Sequence, residues 1–194
     1  MYTGLQQIDS YLRENISKER YQHSIKVSKV AEEIARHYKL SSNKAKLLGL
    51  IHDCAKDYTA GELNTMIKKY NINLSELEKS IPGLWHAYIG AEIARDYFNI
   101  KNQEMLDAIK YHSTASRKLT SLGKILYIAD KIEPSRKEDN LSTARELVWK
   151  DIDLTMLELL NRELQSLIYR KLIIHPETLH TRNKILKEKV YSEK

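Results

Sequence analysis

The sequence has one cysteine, Cys54, so no intrachain disulfide can form, and this pattern suits a reducing compartment. Proline and glycine are scarce, with three and six in 194 residues. That leaves few places for irregular chain and no room for a long linker. Aromatic residues make up 8% of the chain and form no RNA-binding string, so nucleic acid is not an expected partner. No apolar stretch approaches the roughly 20 residues that a membrane helix needs. The start, Met1-Tyr2-Thr3-Gly4-Leu5-Gln6-Gln7, has neither a basic segment nor an apolar run, so no signal peptide is expected. Elimination leaves a cytoplasmic protein with no membrane partner as the expectation.

What is plentiful is charge and helical periodicity. The chain is 30% charged and 42% hydrophobic, a globular rather than a disordered balance. Its net charge is +6. An excess of positive charge favours anionic partners such as phosphates and nucleotides, and also fits a merely soluble, lysine-rich surface. The lysines are spread along the chain, not gathered into one arm.

Apolar residues recur at helical spacing almost throughout. Leu5, Ile8 and Leu12 mark a first helix, and Ser17 can cap a second running to about Tyr38. Ser42 and Asn43 can open a third, ending near Ala55. Thr59…Glu62 and Ser75…Glu78 match the capping box, so each predicts a helix start. Ile81-Pro82-Gly83 precedes a helix over about 85–97, and Asn102 precedes one ending near His112. Thr120 or Ser121 opens another that must stop before Pro134. Residues 151–172 form the longest amphipathic run, whose apolar stripe completes the core or makes a homodimer. Pro176 suits the first turn of a final helix. No strand pair is evident. The expected fold is an all-α single-domain helical bundle spanning 1–194.

Four of the seven histidines fall on apolar faces of these helices. His23 shares a stripe with Val27, Val30 and Ile34; His52 with Ala45 and Leu48; His86 with Ile89, Ile93 and Tyr97; His112 with Met105, Ala108 and Ile109. Such spacing points each imidazole inward. Asp53 adjoins His52, and Asp130 shares a face with Leu122 and Leu126. A single inward histidine is usually just a hydrogen-bonded core residue. Six inward polar groups over five helices need one another or a metal, because a buried carboxylate without a partner is costly. A multi-helix core is a known way to assemble metal sites. Imidazole and carboxylate without thiolate suit Fe, Mn, Zn or Mg, with Co also allowed. Six ligands exceed what one catalytic metal with open positions uses, and suit a pair of divalent ions. Trp85 and Trp149 read as core, Cys54 as a small neighbour of the ligands, and His37 as solvent-facing.

In this order, His23…His52-Asp53…Asp130 resembles the ligand set of the HD-domain phosphohydrolase superfamily. Five strings narrow the likeness: Arg20-Tyr21-Gln22-His23-Ser24, His52-Asp53-Cys54-Ala55-Lys56, Tyr111-His112-Ser113-Thr114, Ala129-Asp130-Lys131-Ile132-Glu133-Pro134-Ser135-Arg136, and His175-Pro176-Glu177-Thr178-Leu179-His180-Thr181-Arg182-Asn183. Together they resemble the YqeK family of symmetrical bis(5′-nucleosyl)-tetraphosphatases, over about residues 18–186. The resemblance implies an HD-type bundle, two divalent metals with iron foremost, and cleavage of diadenosine tetraphosphate into two ADP. One departure stands out. Where the family has His-Thr-Thr-Gly, this chain has His112-Ser113-Thr114-Ala115, which leaves the ligand and questions the loop.

The resemblance assigns His23, His52, Asp53 and Asp130 to one metal, and His86, His112 and a bridging Asp53 to the second. Metal binding lowers the pKa of a shared water, so that hydroxide attacks an inner phosphorus and ADP leaves. Lys56, three residues after Asp53, is assigned to a phosphate oxygen; the alternative is a solvated lysine near a helix end. Arg136 offers a planar fork to phosphate, or is an ordinary surface arginine. Lys131 is a weaker candidate of the same kind. Thr114 either binds phosphate or caps its loop. His175, His180, Arg182 and Asn183 border the nucleotide pocket by resemblance; read alone, His175 caps the last helix and Asn183 satisfies loop backbone. Two other functions fit the same residues: a nucleotidase on mononucleotides or other nucleoside polyphosphates, and a non-catalytic nucleotide- or RNA-binding domain.

Overall fold

The computed structural model describes residues 4–136 and 141–191, apart from the side chains at 5 and 190. Met1–Thr3, part of the leader reading, lie outside them, as do the last residues of the 1–194 span. Every regular element described is helical. The elements are α1 Leu5–Asn15, α2 Lys18–His37, α3 Ser42–Ile51, α4 Ala60–Lys69, α5 Glu76–Lys79, α6 Trp85–Asp96, α7 Gln103–Lys110, α8 Ser121–Ile132, α9 Ser142–Leu147, α10 Ile152–Tyr169 and α11 Pro176–Leu186. A 3₁₀ turn, Pro82–Leu84, leads into α6, and a π turn, Lys187–Tyr191, follows α11. The all-α expectation holds.

Caps explain most starts. Ser17 Oγ accepts from Arg20 N, and Asn102 caps α7 through Met105 N. Both capping boxes form, with Glu62 and Glu78 reaching back to Thr59 and Ser75.

Several ends differ from expectation. Helix α3 stops at Ile51, not near Ala55. Beyond it the chain tightens into successive turns, Cys54 N to Ile51 O and Lys56 N to Asp53 O. The longest helix is α2, of 20 residues, ahead of α10, of 18. The 151–172 run breaks after Tyr169 because Lys171 is left-handed, at φ 54°. Lys171 N then bonds Ile168 O and Leu172 N bonds Leu167 O, a Schellman ending. Its stripe is divided, with Leu157 and Leu160 buried while Ile168 is 65% exposed. Trp149 is exposed rather than core, with its ring edge-on to His37. Tyr97 also faces solvent, despite its alignment with His86. Helix α9 has no counterpart among the expected elements, because six residues carry too little periodicity to read.

Helix α8 is the axis of the molecule. Leu122, Ile125, Leu126, Tyr127, Ile128 and Ala129 are all buried, so from Ile125 to Ala129 it has no solvent face. Helices α2, α3, α7 and α10 all pack against it. Helices α2 and α3 meet most closely at Gly49, where a Cβ would stand 2.5 Å from Ser28 Cα. That contact draws the end of α3 against α2, and so sets His52 and Asp53 near His23.

Candidate metal centre

Three imidazoles are held in one way. His52 Nδ1 bonds Gly49 O at 2.8 Å, His86 Nδ1 bonds Gly83 O at 2.8 Å and His112 Nδ1 bonds Ile109 O at 2.7 Å. A carbonyl only accepts, so each Nδ1 carries a proton, and in the neutral ring each Nε2 presents a lone pair. His52 and His112 lie just past α3 and α7, where a helix leaves carbonyls without partners. His86 lies in the first turn of α6. His23, on α2, sits between two carboxylates: Nε2 is 3.0 Å from Asp130 Oδ1 and Nδ1 is 3.2 Å from Glu133 Oε1.

Asp53 divides its carboxylate. Oδ1 is 3.3 Å from both His86 Nε2 and His112 Nε2, while Oδ2 is 3.5 Å from His52 Nε2. Asp130 Oδ1 is 3.7 Å from His52 Nε2. Two overlapping sets could each hold an ion: His23, His52 and Asp130, and His52, Asp53 and His112. His86 joins the second through its Nε2, 3.2 Å from His112 Nε2.

The orphaned atoms test whether a cation fits. His52 Nε2 and Asp53 Oδ1 are buried without a hydrogen-bond partner. Such atoms cost free energy unless something pairs with them. Lone pairs and carboxylate oxygens facing one another at 3.3 Å attract only a proton or a metal between them. Burial opposes protonation of His86 and, against the pull of Asp53, pushes its pKa down to about 4, so it is neutral near pH 7. Burial also opposes ionisation of Asp53, but His52, His112 and His86 outweigh it and hold the carboxyl well below its usual range. Neutral imidazoles and ionised carboxylates are the metal-binding forms. The donor set fits divalent ions.

Around this cluster stand cations. Lys56 Nζ is 3.4 Å from the ring nitrogens of His86, and burial lowers its pKa. Arg136 donates from Nη2 to Asp130 Oδ1 at 2.7 Å and from Nε to Asp130 O at 2.9 Å. It is therefore not an ordinary surface arginine.

Other expected residues are placed elsewhere. Thr114 is buried and donates to Ala115 O, so its hydroxyl serves the loop. Ala115 adopts φ 59°, in the left-handed region that favours glycine. Lys131 turns away from the histidines, over the Tyr127 ring and 3.6 Å from Glu163. The C-terminal polar group does not form one pocket. His175 caps α11 through Glu177 N and faces Glu78 at 3.5 Å. Arg182 bonds Asn161, within a cleft against α10. Asn183 lies inside α11, not in a loop, and lines a different recess with His180 and Arg117.

Two residues at the cluster escaped the sequence reading. Arg20 donates from Nη1 to Asp53 Oδ2 at 2.8 Å. Glu133 is buried, meets His23 and accepts from Ser135 N and Oγ. A signal existed for both. Arg20 lies three residues before His23 on α2, and Glu133 three residues after Asp130, just past the end of α8.

Residues 20–135 match the model of the HD domain family. The chain belongs to the HD-domain family. Its relatives within that family are more particular. It is 31% identical, over 91% of its length and 94% of theirs, to the symmetrical bis(5′-nucleosyl)-tetraphosphatase of Halalkalibacterium halodurans. It is 28% identical to the Bacillus subtilis protein of the same name, over 89% of this chain and 92% of that one. A crystal structure of a predicted HD superfamily hydrolase involved in NAD metabolism, from Clostridium acetobutylicum, superposes with a TM-score of 0.93. That match has 28% identity and covers 97% of this chain and all of the other.

Proposed function

We propose that this protein hydrolyses dinucleoside tetraphosphates symmetrically, releasing two nucleoside diphosphates, at a centre of two divalent ions with iron as the native metal. The observation that carries this reading is the convergence of His52, His86 and His112 Nε2 on a split Asp53 carboxylate, of which His52 Nε2 and Asp53 Oδ1 are buried with no hydrogen-bond partner. Similarity to the symmetrical tetraphosphatases supports the substrate class.

His23, His52 and Asp130 would hold one ion, and His86, His112 and Asp53 the other, with Asp53 turned to both. Bound there, two divalent ions supply neutralising charge for the phosphates and make water a stronger nucleophile at neutral pH. The chain's own groups do the rest. Lys56, beside His86, holds a phosphoryl oxygen and offsets charge that develops on it. Arg136 and Glu133 keep Asp130 and His23 in place. Water adds to one inner phosphorus, and the bridging oxygen leaves with the other nucleoside diphosphate. That leaving group is weakly basic, so no strong general acid is required.

The test pairs metal analysis of anaerobically purified protein with product identification from diadenosine tetraphosphate. ADP as sole nucleotide product is expected. No ADP in the presence of iron or manganese refutes the substrate, and rates on mononucleotides then identify the alternative.

A further inference from the structure

The centre accounts for the bond that breaks but not for the length of the substrate. A dinucleoside tetraphosphate extends to both sides of the cleaved bond, so much of its charge lies away from the histidines. A cleft of about 240 Å³ opens beside the centre, between the end of α8 and one face of α10. Lys131, Arg136, Arg162, Glu163, Ser166 and Arg170 form its walls. Arg162, Glu163 and Ser166 of α10 and Arg170 at its C-cap recur at spacings of one helical face, so they stand as one stripe. Among the described residues the walls carry four cations against one carboxylate. Glu163 lies 3.6 Å from Lys131, and Arg162 pairs with Glu158 at 2.7 Å. Arg170 meets no carboxylate among the described residues. Buried Leu141 and Leu159 line the cleft beneath these charges, and an apolar floor strengthens attraction for an anion.

Arg136 joins the cleft to the centre. It bonds Asp130 Oδ1 at 2.7 Å and also lines the cleft. We infer that this cleft is a polyphosphate subsite, which takes the phosphates of the substrate half that departs as nucleoside diphosphate. Lys131 then serves the phosphates after all, from the α10 side. This rests on the tetraphosphate reading. It adds that the preference for long substrates over short ones comes from α10, outside the residues that match the HD model.

The test uses exposed residues that are not part of the metal centre, Arg170→Glu and Ser166→Glu, in the metal-loaded full chain. Each should raise KM for diadenosine tetraphosphate about ten-fold, and less as salt rises. Turnover of bis(p-nitrophenyl) phosphate, which is too short to reach the cleft, should stay within about two-fold. Binding of a methylene-bridged diadenosine tetraphosphate, read by calorimetry, should weaken in the same variants. Analogue binding that depends on Arg170, without any turnover of the natural tetraphosphate, sustains the subsite and refutes the substrate reading. Normal tetraphosphate KM and analogue affinity in both variants overturn the subsite, as does an equal loss on the short substrate.

Discussion

His86 and His112 bring their Nε2 atoms to 3.2 Å from each other, although each ring donates its Nδ1 proton to a backbone carbonyl. Two neutral imidazoles so arranged repel through their lone pairs; the Ser113 hydroxyl, 3.2 Å from His112 Nε2 and 3.4 Å from His86 Nε2, has one proton and can serve only one of them, whereas a cation between the rings reverses the sign. Stability should therefore follow metal. Stripping the protein with a chelator should lower its melting temperature, and iron or manganese should restore it. At a hundred times the dissociation constant the gain is about 2.7 kcal/mol. For a domain of this size that is roughly 5–10 °C. Melting curves unaltered by chelator and metal would sink the metal centre without reference to activity.

Glu133 fixes His23 from behind, and Ser135 in turn holds Glu133. Loss of such an outer partner typically costs about 10- to 100-fold in metal affinity. Glu133→Gln should weaken metal binding by that factor while leaving the helices intact by circular dichroism. Asp53→Ala should do more, abolishing both the second ion and activity. Retained activity in that variant refutes the site.

Gly49 touches Ser28 backbone where α2 and α3 cross, and its carbonyl anchors His52. Gly49→Ala must push the helices apart or misplace His52. Overpacking of this kind costs about 1–3 kcal/mol. Denaturant unfolding should show that loss together with weaker metal binding. Gly61→Ala is the control, since no atom lies within 4 Å of its added carbon.

Glu177 ties α11 to the 116–117 loop, accepting from Arg117 Nη2 at 2.8 Å. Arg117, acting against partial burial, holds its pKa down to about 2. A carboxylate depressed in the folded state stabilises above its unfolded pKa of about 4.3. That stability fades as pH falls from there through the folded value. Glu177→Gln should therefore be about 1 kcal/mol less stable than the parent at pH 7. Urea midpoints should converge as the pH nears about 2. A gap that persists unchanged at low pH would assign the effect to shape rather than charge.

Much of this was legible because it is local. The capping boxes at Thr59 and Ser75 form as read, since a box needs only residues three apart. Inward periodicity singled out His23, His52, His86, His112, Asp53 and Asp130, and all six converge. The reading was weaker at helix ends. His52 and His112 seemed to lie on helices, whereas each follows one, because the side chain itself bonds a carbonyl three residues back and helps end it. Ala115 also escaped: that the loop keeps its left-handed turn without glycine is a property of the folded backbone.

The sequence by itself determined the helical class, most helix starts and the six inward polar side chains, because periodicity and capping act within a few residues. Only the tertiary structure decided how those side chains meet. Asp53 divides between two histidine groups because Gly49 lets α3 close on α2. Arg136 stands both at Asp130 and in the α10 cleft because α8 runs through the middle of the bundle. Arg182 and Asn183, neighbours in sequence whose side chains bond each other at 3.0 Å, still line different recesses because consecutive helical residues point about 100° apart. Contacts between residues a hundred positions apart, such as His23 with Glu133, leave no periodic trace in the chain.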